Sequence, residues 1–437
     1  MRWMGVGEPS AIVPAKRRSP VRALRHRDYS LMWLGILFGS ALVPMQFVAQ
    51  VLFLSEHSGE SSRLALSGLL GAARGSAMLS FSLFGGALAD RFDRRRLLMV
   101  SQSFGLLTGA GIAVVMFTTP GGQGLTLTLF IALIFVSSGL ASIDIPTRLS
   151  MVPELVGRED LPNAIALDAV AFQLGFPLGL PLTGVLIDTI GFGWTYTVTL
   201  GAYASLIITV ALMKYRPVRI VARDRGSLFA DMRFGLSYAR QRPAILGIIG
   251  ISFAVSGLAL PVVASLGPVW TSRVLGLSPT GVGLLATTWG VGSMVASLVM
   301  TNVGHFRSKG YLVVLPAAAF ALCVVFFGYS RLVPLSAVIN LGLGSMLTVS
   351  SVAATSLVQR IVSNDVQGRV MSLFLMSQGF SQLLTLPIGG LAQWATFELT
   401  MPLMGWISLA AIAAIALTQP AVRHAGREDA VYETQPP

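Results

Sequence analysis

The chain has 437 residues, of which 54% are hydrophobic and only 11% charged, too few charges to clothe a water-soluble fold of this length. A formal net charge of +12 would suit a nucleic-acid partner, but the basic residues fall in alternate loops between apolar runs. That alternation is the positive-inside pattern of a membrane protein, and it excludes a nucleic-acid role.

In chain order, residues 1–29 form a basic tail with Lys16, Arg17, Arg18, Arg22, Arg25 and Arg27. No short apolar segment with a cleavage site follows, so no signal-peptide removal is expected. Apolar runs of membrane length then recur at 30–54, 64–89, 97–118, 125–146, 163–188 and 192–213. A basic segment at 214–243 divides the chain, with an amphipathic helix expected around Leu228–Ala239. Further runs follow at 244–272, 279–303, 311–329, 333–358, 368–392 and 398–419, before a tail at 420–437. Lipid offers no partner to free backbone groups, so the spans must be helices. Trp33, Trp194, Trp270, Trp394 and Trp406 lie near span ends, as an interfacial aromatic belt requires. Both termini and the 214–243 linker are expected in the cytoplasm.

The two halves repeat. Residues 152–167 align with 358–373 without a gap, and the same register puts Pro181 on Pro387 and Gly184 on Gly390. The first span of each half also carries a proline, Pro44 and Pro261. The expected fold is therefore an all-α membrane protein of twelve transmembrane helices in two pseudo-symmetric six-helix bundles, 30–213 and 244–419.

The turn Gly86-Ala87-Leu88-Ala89-Asp90-Arg91-Phe92-Asp93-Arg94-Arg95 resembles the signature between helices 2 and 3 of the major facilitator superfamily, with 304–310 as its relaxed second-half counterpart. The stretches 142–156, 161–173 and 180–188 are similar to the enterobactin-exporter and macrolide-efflux branch of that superfamily. The resemblance implies a major facilitator fold and a gating role for Asp90, Arg91, Asp93, Arg94 and Arg95. In the outward-open state the acid would face the start of helix 11 near Gly368. An arginine of the cluster would pair with a helix-4 acid, identified by resemblance as Asp144, with Arg148 one turn on. The plainer reading is that these charges only fix topology. Three departures stand out: Asp93 replaces a glycine, Leu180 replaces the first glycine of the helix-5 antiporter pattern, and Asp168 stands where asparagine is usual.

Deeper in the spans, Arg74 lies near the middle of 64–89, where an arginine costs at least about 2.5 kcal/mol to insert. It is either a contact for an anionic substrate or for proton coupling, or a structural arginine satisfied by carbonyls. Gly71 and Gly75 flank its face, so a close neighbouring helix would shield it. Asp168 is either a protonatable coupling group or an acid wetted from the cytoplasmic mouth. Gln46 with Gln50, and Gln378 with Gln382, are i, i+4 pairs that either line a path or join helices. Trp289 falls mid-span, for stacking on substrate or for packing.

No P-loop is present, and four scattered histidines with a lone cysteine, Cys323, make no metal or hydrolase constellation. The expectation is a non-enzymatic secondary active exporter of the bacterial inner membrane, monomeric and without cofactor. It would send out a siderophore or drug-like amphipathic molecule in exchange for protons. The alternatives are a proton-coupled nutrient importer of the same fold, or a transport-inactive membrane scaffold or sensor.

Overall fold

The computed structural model describes residues 21–57, 63–118, 124–215, 237–302, 310–362, 370 and 381–424. Helices α1 (Arg27–His57), α2 (Arg63–Arg91) and α3 (Arg94–Thr118) are followed by one long helical run, Gly124–Thr199. Two glycines in left-handed backbone, Gly157 (φ 73°, ψ 171°) and Gly191 (φ 79°, ψ 174°), divide that run. A Cβ is strongly disfavoured in that conformation. The pieces are α4 (124–156), α5 (158–190) and the start of α6, which continues through Leu200 in αR geometry into Gly201–Leu212. The second half comprises α7 (Pro243–Arg273), α8 (Pro279–Asn302), α9 (Tyr311–Tyr329), α10 (Val333–Ile361), α11 (Thr385–Ala395) and α12 (Phe397–Thr418). Among the described residues there is no strand, and nine helical runs are long and apolar enough to cross a membrane.

Two expectations from sequence are corrected. Helices 4 and 5 extend well beyond the apolar runs 125–146 and 163–188; the helix runs to 156 and resumes at 158. The charges there need no loop to reach water because protein partners take them up: Asp144 with Arg148, Glu154 with Arg94, and Asp160 with Arg22 and His26. Nor is the whole of 1–29 a free tail. The 3-10 turn Arg22–Arg25 docks on the start of α5, with Ala23 N donating to Asn163 Oδ1 at 2.8 Å and Arg22 bridging to Asp160 at 3.0 Å. Most of the expected 228–239 helix, and Gln378 and Gly368, lie outside the described residues.

Inside α7 a π-helical turn, Val255–Ala259, ends two residues before Pro261. A proline withholds its N–H and crowds the carbonyl four residues back, and widening the preceding turn relieves both. The left-handed joint between α5 and α6 has a counterpart between α11 and α12 at Thr396, where φ is 101°. The buried cores separate by half. One lies wholly within 239–422, and the other two within 23–215 except for Val269 and Val282. Trp194, Trp394 and Trp406 are exposed, but Trp270 is fully buried, with the Arg331 guanidinium 4.8 Å from its ring centroid, and does not belong to an aromatic belt.

The halves meet most extensively along two helix pairs, with α7 also packing on α1 and α2. On α2, Gly68, Gly71 and Gly75 back onto α11 and the turn before it, where a Cβ on Gly68 would lie 2.6 Å from Thr385 O and one on Gly75 2.6 Å from Gln382 Cβ. Thr385 Oγ1 also donates to Gly68 O at 3.0 Å. The other pair is α5 and α8, joined by Gln173 Nε2 donating to Ser297 Oγ at 2.7 Å and Thr280 N donating to Asp188 at 2.8 Å. These contacts run from mid-depth to the membrane face opposite the 91–94 turn. That opposite face is closed.

Candidate functional site

Arg74 belongs to a buried cluster of polar side chains from α1, α2, α4 and α6. Its Nη2 donates to Gln50 Oε1, and Gln50 Nε2 donates to Tyr196 OH at 2.7 Å. Its guanidinium carbon lies 4.6 Å from the Phe47 ring centroid, within cation–π range. One turn before Gln50, Gln46 Oε1 accepts from Tyr203 OH at 3.4 Å, and Tyr203 OH pairs with Ser137 Oγ at 3.0 Å. Two buried donors, Arg74 Nε and Gln46 Nε2, find no acceptor among the described residues. Buried donors are seldom left without an acceptor in a protein at rest.

The helix geometry explains this convergence. Gln46 and Gln50 share a face of α1, as their spacing predicts. Gly71 and Gly75 do flank Arg74, and the neighbour they admit is the α11 segment carrying Gln382. Sequence reasoning missed Tyr196 and Tyr203. The signal was their seven-residue spacing, two turns of one helix, which lines both hydroxyls up on one side of α6.

The 91–96 turn is arranged differently from the expectation. Asp93 caps α3, its Oδ1 accepting from Arg95 N at 2.9 Å and Arg96 N at 3.1 Å. A carboxylate satisfies those orphan N–H groups better than the glycine it replaces. Arg94 pairs with Glu154, at 2.6 Å, and donates to Ser150 O at 3.0 Å. For Arg94 the helix-4 partner is thus Glu154 rather than Asp144, because Asp144 lies about 15 Å deeper along α4. There it binds Arg148 at 2.7 Å and accepts from Gln102 Nε2 at 2.8 Å. Arg95 reaches Ala211 O at 2.9 Å. Tyr215 OH donates to Glu154, and burial, reinforced by that carboxylate, raises the phenol above its usual range. The side chains of Asp90 and Arg91 lie outside the described residues.

Asp168 is half-buried and held by Tyr29, whose hydroxyl lies 2.9 Å from Oδ1 and 2.8 Å from Ala164 O. Tyr29 was not singled out from sequence; its register on α1 was the available signal. Trp289 is in contact with its neighbours in the second half. Its ring meets Phe320 edge-on at 6.0 Å, and Gly344 closes on its carbonyl.

The chain compares closely in shape with solved transporters. The crystal structure of the nucleoside transporter NupG superposes with a TM-score of 0.70 at 13% identity, covering 94% of this chain and 100% of that one. The D-xylose-proton symporter gives 0.70 at 14% identity, covering 92% and 99%. Among curated proteins, the enterobactin exporter EntS of Citrobacter koseri is 25% identical over 304 residues, 69% of this chain and 70% of its own length. EntS of Shigella boydii serotype 18 is 23% identical over 302 residues, 69% and 70% of the two chains. The family model described as transmembrane secretion effector matches residues 18–434. With that match, a fold shared with solved transporters and its apolar helices, this chain is a multi-pass membrane transporter, not an enzyme, and belongs to the transmembrane secretion effector family of the major facilitator superfamily.

Proposed function

We propose that the protein is a proton-driven exporter of an anionic, oxygen-rich amphipathic molecule of siderophore or drug-like size. It works by alternating access in the bacterial inner membrane with both termini cytoplasmic. The observation that carries the reading is the polar cluster around Arg74, where a charge costly to bury, with its own Nε unfilled, lies near the unfilled Gln46 Nε2, an aromatic face and two tyrosine hydroxyls. Oxyanions such as carboxylates and catecholates suit such donors. Similarity to enterobactin exporters supports both the direction and the substrate class. In this reading residues 30–213 rock against 244–419 around that cluster. Asp168, held by Tyr29 near the face of the 91–94 turn, takes up and releases the coupling proton. The protein acts as a monomer and draws its energy from the proton gradient without a cofactor.

The test is transport of a catecholate siderophore into inverted membrane vesicles with an acidic interior. Parental protein should accumulate it, and Arg74→Ala should lower kcat/KM by about 10- to 100-fold, as loss of a charge-assisted hydrogen bond does. Arg74→Lys should recover part of the loss. Flux that is indifferent to collapse of the gradient would remove proton coupling. Accumulation by intact cells would make the protein an importer.

A further inference from the structure

Asp188 lies near the end of α5, at the membrane face opposite the 91–94 turn, and is exposed. Its Oδ2 accepts from Thr280 N at 2.8 Å, and Thr280 is in the first turn of α8, in the other half of the molecule. The first N–H groups of a helix have no partner of their own and carry the positive end of its dipole. The contact is therefore a helix cap supplied from across the interface between halves. Gly184, one turn earlier, admits it: a Cβ there would lie 2.6 Å from Thr280 Cα. A side chain at that position would hold α8 away from Asp188.

The same device is written twice in the sequence. α2 ends on Gly86-Ala87-Leu88-Ala89-Asp90, and α5 ends on Gly184-Val185-Leu186-Ile187-Asp188, both G-x-L-x-D. Helices 2 and 5 hold equivalent places in the inverted three-helix repeats within one half, as helices 8 and 11 do in the other. The contact that the resemblance implies for Asp90, against the start of helix 11, would thus have as its inverted image the one seen here, an acid near the end of α5 against the start of α8. The α2 copy continues into Arg91, Arg94 and Arg95; the α5 copy continues into Thr189, Ile190 and Gly191 without a base. Arginines retain a turn on one side of the membrane and have no place on the other. What the two copies share is the glycine and the acid, the parts a helix-capping latch needs.

We propose that Asp188 is the latch of the closed face seen here, opposed to the Asp90 turn, so that the two acids bias the same conformational equilibrium in opposite directions. The proposal goes beyond the transport reading and depends on neither substrate nor direction. A negative result would leave export untouched.

The test uses the full chain in lipid nanodiscs, with Cys323→Ser as background and spin labels on Val185→Cys and Leu284→Cys. Both side chains are exposed, one on α5 and one on α8. Double electron–electron resonance reads the ratio of short to long distances across that face. Asp188→Ala should lower the closed-to-open ratio by about fivefold, the loss of one cap. Asp188→Asn, which keeps an acceptor but not the charge, should lower it by about twofold. Asp90→Ala should move the ratio the other way. Thermal unfolding of each variant near the parental midpoint shows that the fold is intact, and Asp188→Asn carries the test if Asp188→Ala does not survive extraction. An unchanged ratio in the Asp188 variants, or a shift in the same direction as Asp90→Ala, overturns the proposal.

Discussion

Arg94 and Glu154 each keep less than a fifth of their side-chain surface exposed. Removing the acid's charge therefore strands a guanidinium where water helps little. Glu154→Gln should lower stability by about 1–3 kcal/mol in thermal unfolding of detergent-solubilised protein. In double-mutant cycles Arg94→Gln should couple to Glu154→Gln and be additive with Asp144→Asn. Coupling to Asp144 instead would restore the pairing expected from family resemblance. At this scale the sequence was legible where the physics is costly. Arg74 announced itself by its depth, and Gln46 and Gln50 by their spacing. Glu154 did not, because acids between 152 and 161 look like solvated loop until the helix carrying them is known to continue. Tyr196 and Tyr203 were hidden for the opposite reason: a tyrosine within a span costs little and raises no alarm.

Among elements, the joints between helices decide where the chain turns. The α5–α6 joint uses Gly191 in left-handed backbone, whereas Thr396 serves at the matching place between α11 and α12. The internal repeat, offset by 206 in Pro181 and Pro387, carries Gly191 to 397, one residue away. A threonine at φ 101° holds strain that a glycine would not. Thr396→Gly should therefore raise stability by about 1 kcal/mol despite the greater entropy of its unfolded chain. A rise in the thermal midpoint checks this, and a fall would mean that the threonine side chain contributes more than its backbone costs. Span positions were legible at this scale because hydropathy reports burial in lipid. The α4–α5 connection was not, since a break made by one glycine's dihedral angles leaves no polar interval to read.

For the molecule as a whole, hydropathy and the repeat pointed to a two-part helical transporter, but not to which face is shut. The chain has 46 glycines, and composition alone does not say which of them bring helices together. Several close helix contacts lie within a half, as at Gly179 and Gly344, whereas those on α2 facing α11, with Gly184 and Gly283 on α5 and α8, bring the two halves together. If 30–213 and 244–419 rock as units, the α5–α8 contact must open once in every cycle, even at mid-depth where Gln173 Nε2 meets Ser297 Oγ at 2.7 Å. Gln173→Cys with Ser297→Cys, joined by a short bis-methanethiosulfonate in the Cys323→Ser background, should stop transport, and a thiol reductant should restore it. Each single-cysteine variant treated in the same way should transport as before. The substitutions remove the two hydrogen bonds that Gln173 Nε2 makes to α8, typically about 0.6 kcal/mol each in a membrane, too little to unfold the protein. A cross-linked transporter still running at the parental rate would show that α5 and α8 remain together throughout the cycle, and the halves would then have to part along the α2–α11 side of the interface.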